Sequence, residues 1–237
     1  MNRRLAIVGV TGRMWQELHA LAQEFKFTLT SGVSGRSQSF IEGVHVVQNI
    51  EGLKAESVDV VIDFSLPEAT LDVVKWCSKN TKPLVSGVTG LEVKHKSALE
   101  EGGQHIPLLW APNMSLGVAV MAKMLKHLAS LDGFEFQIEE LHHKRKKDKP
   151  SGTAVFLQNH LTAAVGNQVP EPLAVRGGGI FGIHRVWAMG EEEVLTIEHN
   201  AMNRRVFARG ALKAADWILT QPKGFYGMNH VLESALP

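Results

Sequence analysis

The spacing of apolar residues changes along the chain, and the change divides it. In the first half, short apolar runs alternate with segments of helical period. Leu5 to Val8 reads as a buried strand, Arg13 to Glu24 as a helix and Phe27 to Val33 as a second strand. The β-branched run Val58 to Phe64 predicts a third strand. Pro67 then opens a helix reaching about Lys79, since proline suits the first helical position. Pro83 to Ser86 and Ile106 to Trp110 predict two more strands, with a helix from Leu91 to Glu101 between them. Strands alternating with helices predict a parallel sheet covered on both faces.

The pattern changes after Ala111-Pro112-Asn113. Met114 to Ser130 reads as a long apolar helix, Glu135 to Leu141 alternates like a strand, and Ser151 to Ala164 reads as a helix. Ile183 to Met189 and Val194 to Glu198 predict strands of a mixed or antiparallel sheet, and Val206 to Leu219 a final amphipathic helix. The expected fold class is α/β. A Rossmann-like, doubly wound parallel sheet is expected over residues 1–112, and a second, α+β domain over 113–205.

Composition narrows the function classes. The 237 residues suffice for one large domain or two small ones with a real core. A net charge of +1 supplies no global field for nucleic acid or membrane. No apolar stretch approaches the length of a membrane span, and the chain enters its first strand straight after Met-Asn-Arg-Arg, so a cytoplasmic protein without a signal peptide is expected. The single cysteine, Cys77, sits in an apolar helical pattern and reads as a buried thiol in a reducing compartment.

Open parallel sheets bind ligands beyond the carboxyl ends of their strands. The first such end is Gly9-Val10-Thr11-Gly12-Arg13-Met14, where glycines permit a tight turn and close approach of a phosphate to backbone N–H groups. Taken alone it is a weak version of the dinucleotide fingerprint. Gly87-Val88-Thr89 and Ala111-Pro112-Asn113-Met114 also follow apolar strands and would join it around one crevice. The second strand ends in Val33-Ser34-Gly35-Arg36-Ser37, with no carboxylate for a ribose 2′-hydroxyl. Arg36 and the serines suit a 2′-phosphate. The expected cofactor is therefore NADPH or NADH, leaning to NADPH.

The other chemical centre is Glu139 to Ala154, EELHHKRKKDKPSGTA. The preceding strand should deliver His142 and His143 pointing in opposing directions, so only one can give its proton to a given substrate atom. Histidine exchanges a proton near neutrality. Lys146 is a compact cation that can hold a carboxylate or support developing negative charge. Ser151, Gly152 and Thr153 open the next helix and can take a carboxylate. These features make a site for a small, multiply anionic molecule. Paired histidines also raise zinc, but neither a nearby cysteine nor a carboxylate–histidine spacing supports it, and no metal is expected.

The same stretch resembles the signature of the bacterial dihydrodipicolinate reductase (4-hydroxy-tetrahydrodipicolinate reductase) family, E-x-H-H-x-x-K-x-D-x-P-S-G-T-A. GVTGRM, DFSLPEAT, SGVTG, APNMSLGV, RGGGIFGIH and IEHNAMNRRVFARGAL agree in order, so the resemblance spans nearly the whole chain. It implies His142 as general acid, Lys146 as its catalytic partner, and His143, Lys146, Gly152 and Thr153 as substrate contacts. It implies cofactor contacts at Gly9 to Met14, Gly87 to Thr89 and Ala111 to Met114. It implies hydride transfer from NADH or NADPH to a cyclic dicarboxylate in diaminopimelate and lysine biosynthesis, and a homotetramer built through the second domain's sheet. Residues 206–237 would complete the nucleotide domain, and closure near Asn113 would bring the reactants together. Trp15 stands where the family commonly has glycine, and the stretch from His160 to Arg176 is shorter than in many relatives.

Three other readings remain. Another nicotinamide-dependent reductase of a small carboxylate could share the architecture. Lys144 to Lys149 could serve a nucleic-acid-binding module, against which the near-neutral net charge speaks. A catalytically dead relative would have little reason to carry both His142 and Lys146. His184 is a weak candidate at the border of the site, and His199 reads as structural.

Overall fold

Every residue of the run Leu5 to Val8 is buried, as befits a strand flanked by two others and covered on both faces. The structure, a computed structural model, describes residues 2–36, 40–166 and 169–234. Its contacts divide the chain into one unit of Met1–Met114 with Phe207–Pro237 and another of Ser115–Val206.

The first unit begins β1 (Arg3–Val8), α1 (Trp15–Leu21), β2 (Phe27–Val33), β3 (Phe40–Ile41) and β4 (Val44–Val47). It continues β5 (Val60–Asp63), α2 (Pro67–Lys79), β6 (Leu84–Ser86), α3 (Val93–Gly103) and β7 (Pro107–Trp110). The second unit holds α4 (Leu116–Met124), β8 (Glu135–His142), α5 (Gly152–Val165), β9 (Leu173–Arg176), β10 (Ile183–Met189) and β11 (Val194–Asn200). The chain then runs through α6 (Arg205–Ile218) to β12 (Gly224–Tyr226) and α7 (Met228–Glu233) in the first unit.

Among the described residues, the first unit's sheet has eight strands in the order β12-β7-β6-β5-β1-β2-β4-β3. All neighbours run parallel except the β3–β4 hairpin. This is the doubly wound, Rossmann-like arrangement, and it places the ends of β1, β2, β5, β6 and β7 along one edge. The apolar faces of α2 and α3 pack on it through Val73, Val74, Trp76, Cys77 and Leu99. α6 approaches the Met114 segment so closely that a Cβ on Gly210 would stand 1.7 Å from the Met114 carbonyl oxygen.

The second unit has a four-stranded sheet, β11-β10-β8-β9, in which β9 runs parallel to β8 and the other pairs are antiparallel. Its inward residues Ile138, Val186 and Ala188 pack with Met121, Leu125, Leu157 and Leu161. The long helix expected over 114–130 is shorter: α4 tightens into a 3₁₀ turn over Leu125–Ser130. Ser115 caps α4 and Ser151 caps α5, each hydroxyl accepting a backbone N–H three residues on. Among the described residues no helix is long and apolar enough to cross a membrane.

Candidate functional site

The candidate residues fall into two groups, one in each unit. In the first unit they occupy the carboxyl ends of adjacent parallel strands. Gly9 leaves β1 at φ +93°, a conformation that glycine adopts freely and other residues rarely. A Cβ there would stand 2.7 Å from the Phe64 carbonyl oxygen at the tip of β5. The Gly12 N–H closes the turn on the Gly9 carbonyl at 2.9 Å. Thr11 reaches Ser34 at the end of β2, with 3.2 Å between hydroxyls, and the Arg36 N–H donates to the same Ser34 hydroxyl at 3.2 Å. The Arg36 side chain is exposed, while Ser37 lies outside the described residues. The Gly87 N–H donates to the Asp63 carbonyl at 2.9 Å, and the Ala111 N–H to the Ser86 carbonyl at 3.1 Å. A Cβ on Gly87 would stand 2.3 Å from the Phe64 ring.

These tips are therefore bare backbone packed edge to edge, with Val10, Val88 and Met114 buried beneath and Thr11, Gly12, Arg13 and Thr89 exposed above. Pro112 and Asn113 are half-buried beside Ala111. Such a surface fits an extended phosphate-bearing cofactor, because backbone can approach the ligand where side chains would block it. Glycine at residue 9 is essential to it. Gly9→Ala should cost about 1–3 kcal/mol of backbone strain, besides the clash with Phe64. It is expected to weaken NADPH binding by about tenfold or more in a fluorescence titration.

Asp63 shapes the tip from below. It is fully buried between β1 and β6, and its Oδ1 accepts the Ser65 N–H at 2.9 Å. Burial pushes its carboxyl up to about 6, with the Ser65 bond pulling the other way. The folded state thus holds this proton more tightly than the unfolded chain, whose value is 3.8. Its stabilising contribution is fully present below that value and is lost as pH rises through about 6. Asp63→Asn, which cannot ionise, should raise stability at pH 8 by about 1–3 kcal/mol and change little near pH 4. Melting curves at the two pH values test this.

In the second unit, β8 alternates so that Ile138, Glu140 and His142 face inward. His142 is the last residue of the strand and is buried; His143 lies just beyond, half-buried, its N–H donating to the Ile180 carbonyl at 2.7 Å. His142 Nδ1 bonds Glu140 Oε2. The Glu140 carboxylate also takes both Arg176 guanidinium nitrogens, at 2.9 and 2.7 Å, and the Ser151 N–H at 3.1 Å. Register explains the meeting: Arg176 on β9 lies opposite His142, and His184 on β10 opposite Glu140. The His184 ring stands edge-on to His142, centroids 5.2 Å apart, with Nε2 3.3 Å from the Ser151 hydroxyl. Burial, reinforced by the neighbouring His142, pushes His184 down to about 3, so it is uncharged at neutral pH.

Lys146 Nζ pairs with Asp148 at 2.8 Å. Burial pushes the Asp148 carboxyl up, but the Lys146 ammonium and backbone N–H donors, including that of Gly152, hold it below its usual value. Gly152 is exposed, with open space where a Cβ would stand, and Thr153 is half-buried behind it. Ser151 is 1% exposed, its N–H held by Glu140 and its hydroxyl by the Ala154 N–H and His184. It therefore serves the loop from beneath. Among the described residues, no group of three or more His, Cys, Asp or Glu stands where it could hold a metal ion.

A family model described as dihydrodipicolinate reductase, N-terminus, matches residues 3–114, and one described as dihydrodipicolinate reductase, C-terminus, matches residues 117–232. The chain belongs to the dihydrodipicolinate reductase family. A 4-hydroxy-tetrahydrodipicolinate reductase of Bdellovibrio bacteriovorus is 44% identical over 234 residues, covering 97% of this chain and 96% of that protein. One from Xanthomonas euvesicatoria is 40% identical over 227 residues, covering 94% of each. The solved structure of a dipicolinate-bound dihydrodipicolinate reductase from Paenisporosarcina sp. TG-14 shares the fold, with a TM-score of 0.81 at 22% identity over 97% of this chain and 99% of that one.

In this member of the reductase family, Trp15 packs inward. It is 3% exposed and its indole N–H donates to Glu42 at 2.9 Å, in the β3–β4 turn. Sequence reasoning gave no role to Glu140 or Arg176. Glu140 had a signal, since a residue two before His142 on a strand shares its face. Arg176 had none, because the β8–β9 pairing is not written in either segment.

Proposed function

We propose that the chain is an NAD(P)H-dependent 4-hydroxy-tetrahydrodipicolinate reductase, an oxidoreductase of diaminopimelate and lysine biosynthesis. The observation that carries this is the loop from His142 to Thr153. It gathers a buried imidazole on a carboxylate, an ammonium and an open helix start, within a chain 44% identical to a reductase of that name.

The first unit, residues 1–112 completed by 206–237, is the nucleotide-binding domain. Gly9 to Met14, Gly87 to Thr89 and Ala111 to Met114 form its bed, and Arg36 meets a 2′-phosphate. When bound, the reduced nucleotide supplies a hydride. Residues 113–205 hold the dicarboxylate: Lys146 exchanges Asp148 for one carboxylate, and Gly152, Thr153 and His143 hold the other. The net change is one hydride and one proton into the ring and one water out. His142 gives the proton to the atom where electron density collects as the hydride arrives.

The test is purified protein supplied with enzymatically generated hydroxytetrahydrodipicolinate. Oxidation of NADPH or NADH that depends on this substrate is expected; none would remove the reading. Lys146→Ala should raise KM for the substrate by about tenfold or more, as expected for losing a charge-assisted contact, and leave KM for the nucleotide unchanged.

We propose further that the chain assembles as a homotetramer through the outward face of the second unit's sheet. Leu173, Val175 and Val194 on that face are exposed, and Leu141, Ile183, Trp187 and Met189 lie between them only half-buried. The ion-paired row Glu139–Arg185–Glu198 crosses this face, and exposed apolar area on either side of such a row marks an interaction surface. Light scattering should give four copies, and Val175→Glu a smaller species.

A further inference from the structure

The reading above gives Glu140 no catalytic role, yet both oxygens of its carboxylate are engaged. Its Oε2 is shared by His142 Nδ1 and one Arg176 nitrogen, its Oε1 by the other Arg176 nitrogen and the Ser151 N–H. Two parallel N–H bonds from a guanidinium fix a carboxylate in plane as well as in place. A carboxylate with this many donors and no exposure cannot swing, and it cannot serve as a proton shuttle between bulk water and the ring. Its carboxyl is held at about 2: burial pushes it up, and the hydrogen bonds from His142 and Arg176 overcome that.

We infer that Glu140, clamped by Arg176, is the positioning residue for His142: it holds the proton on Nδ1 and so presents Nε2 as the nitrogen that exchanges a proton with the substrate. A fixed acceptor at one ring nitrogen determines the tautomer and the orientation of the other. The far side of the ring is fixed as well: a Cβ on residue 182 would stand 2.9 Å from Nε2, so the ring sits where it does only because residue 182 is glycine.

The groups around the pair preserve the assignment. From β10, His184 faces the His142 ring edge-on as an uncharged imidazole and does not compete for the Glu140 carboxylate. From β9, Arg176 also donates to the Asp148 carbonyl at 2.6 Å, which ties the clamp to the Lys146 loop. From β11, His199 lies opposite His184 and bonds the Ser115 hydroxyl at 3.1 Å, leaving Glu140 to His142. The start of α5 contributes the Ser151 N–H. The carboxylate thus has one imidazole to orient.

This inference rests on the acid role proposed for His142, and its test separates the two. Protein labelled with ¹⁵N-histidine reports the tautomer of His142 by NMR without substrate, with His142→Gln used to assign the resonance. The wild-type protein should show neutral His142 protonated at Nδ1. In Glu140→Gln the amide cannot satisfy Arg176, Ser151 and the ring at once, so the population should move toward the Nε2–H form. The kcat should fall about a hundredfold with KM for NADPH unchanged. Arg176→Lys keeps the charge and loses the fork; it should give the same changes in weaker form, and it stands in if Glu140→Gln fails to fold. An unchanged tautomer in both variants would overturn the inference and leave the reductase reading standing. A changed tautomer with full turnover would overturn His142 as the acid, and the catalytic meaning of Glu140 with it.

Discussion

Replacing His142 with glutamine should lower kcat by about 10²- to 10⁴-fold, the range supplied by a positioned acid. Glutamine fills similar space and can still bond Glu140, but it has no proton to transfer at neutral pH. The residues proposed to bind the nucleotide belong to the other unit, so KM for NADPH should change less than about threefold, the factor that about 0.5 kcal/mol corresponds to. Steady-state kinetics on both substrates test this. A variant with wild-type kcat would show that the proton comes from elsewhere and would leave Lys146 as the nearest alternative. Equal losses in kcat and in nucleotide affinity would point to a folding defect, which a melting curve would expose.

The second large effect concerns stability. Arg176→Leu removes both guanidinium bonds and leaves Glu140, which is fully buried, with an uncompensated charge. Breaking one partner of such a pair costs about 3–5 kcal/mol, whereas replacing both partners with apolar groups is often neutral. Arg176→Leu should therefore melt far below the wild type, and Glu140→Leu with Arg176→Leu should recover most of the loss. The acid limb should move as well. In the wild type the Glu140 carboxyl falls from 4.5 to about 2, so its contribution is present above 4.5 and is lost as pH drops toward 2. Without the guanidinium, burial has less opposing it and the loss should begin at higher pH. Equal melting temperatures for the wild type and the single variant would contradict this account of the cluster.

Much of this arrangement was legible in the residues. The strands over Phe27–Val33 and Ile183–Met189 and the helix over Pro67–Lys79 have the predicted bounds. In each, the residues carry a local signal: a β-favouring run buried at Phe27 and over Ser31–Val33, alternation along Ile183–Met189, and proline at a helix start. What escaped was short or depended on partners. β3 and β4 form a hairpin around Glu42 and Gly43, both at positive φ, and two residues of strand show no period. β9 has four residues at a sheet edge, and β12 has three. The extended helix expected after Met114 follows from apolar content alone, which cannot distinguish an α-helix from the 3₁₀ turn that ends it.

The site was legible to the same depth. The family signature marks the loop from His142 to Thr153, and the spacing of Gly9 and Gly12 marks the turn. Ser151 is turned inward because its N–H and hydroxyl meet Glu140 and His184, residues placed by strand register. Trp15 follows the turn at a helix start, and only the hairpin it meets shows where its indole goes. A one-dimensional pattern specifies which side chains share a face; it does not specify which strand lies alongside.

The central claim is that one unit holds a reduced nicotinamide nucleotide and the other a planar dicarboxylate, and that both are needed. Calorimetric titration with pyridine-2,6-dicarboxylate, with and without NADPH, tests it most directly. The account predicts tight dicarboxylate binding in the presence of nucleotide, lost in Lys146→Ala while NADPH still binds; in Gly9→Ala it predicts weakened NADPH binding, with the nucleotide-dependent gain in dicarboxylate binding weakened alongside. Dicarboxylate binding that survives Lys146→Ala undiminished, or NADPH binding unaffected by Gly9→Ala, would contradict it.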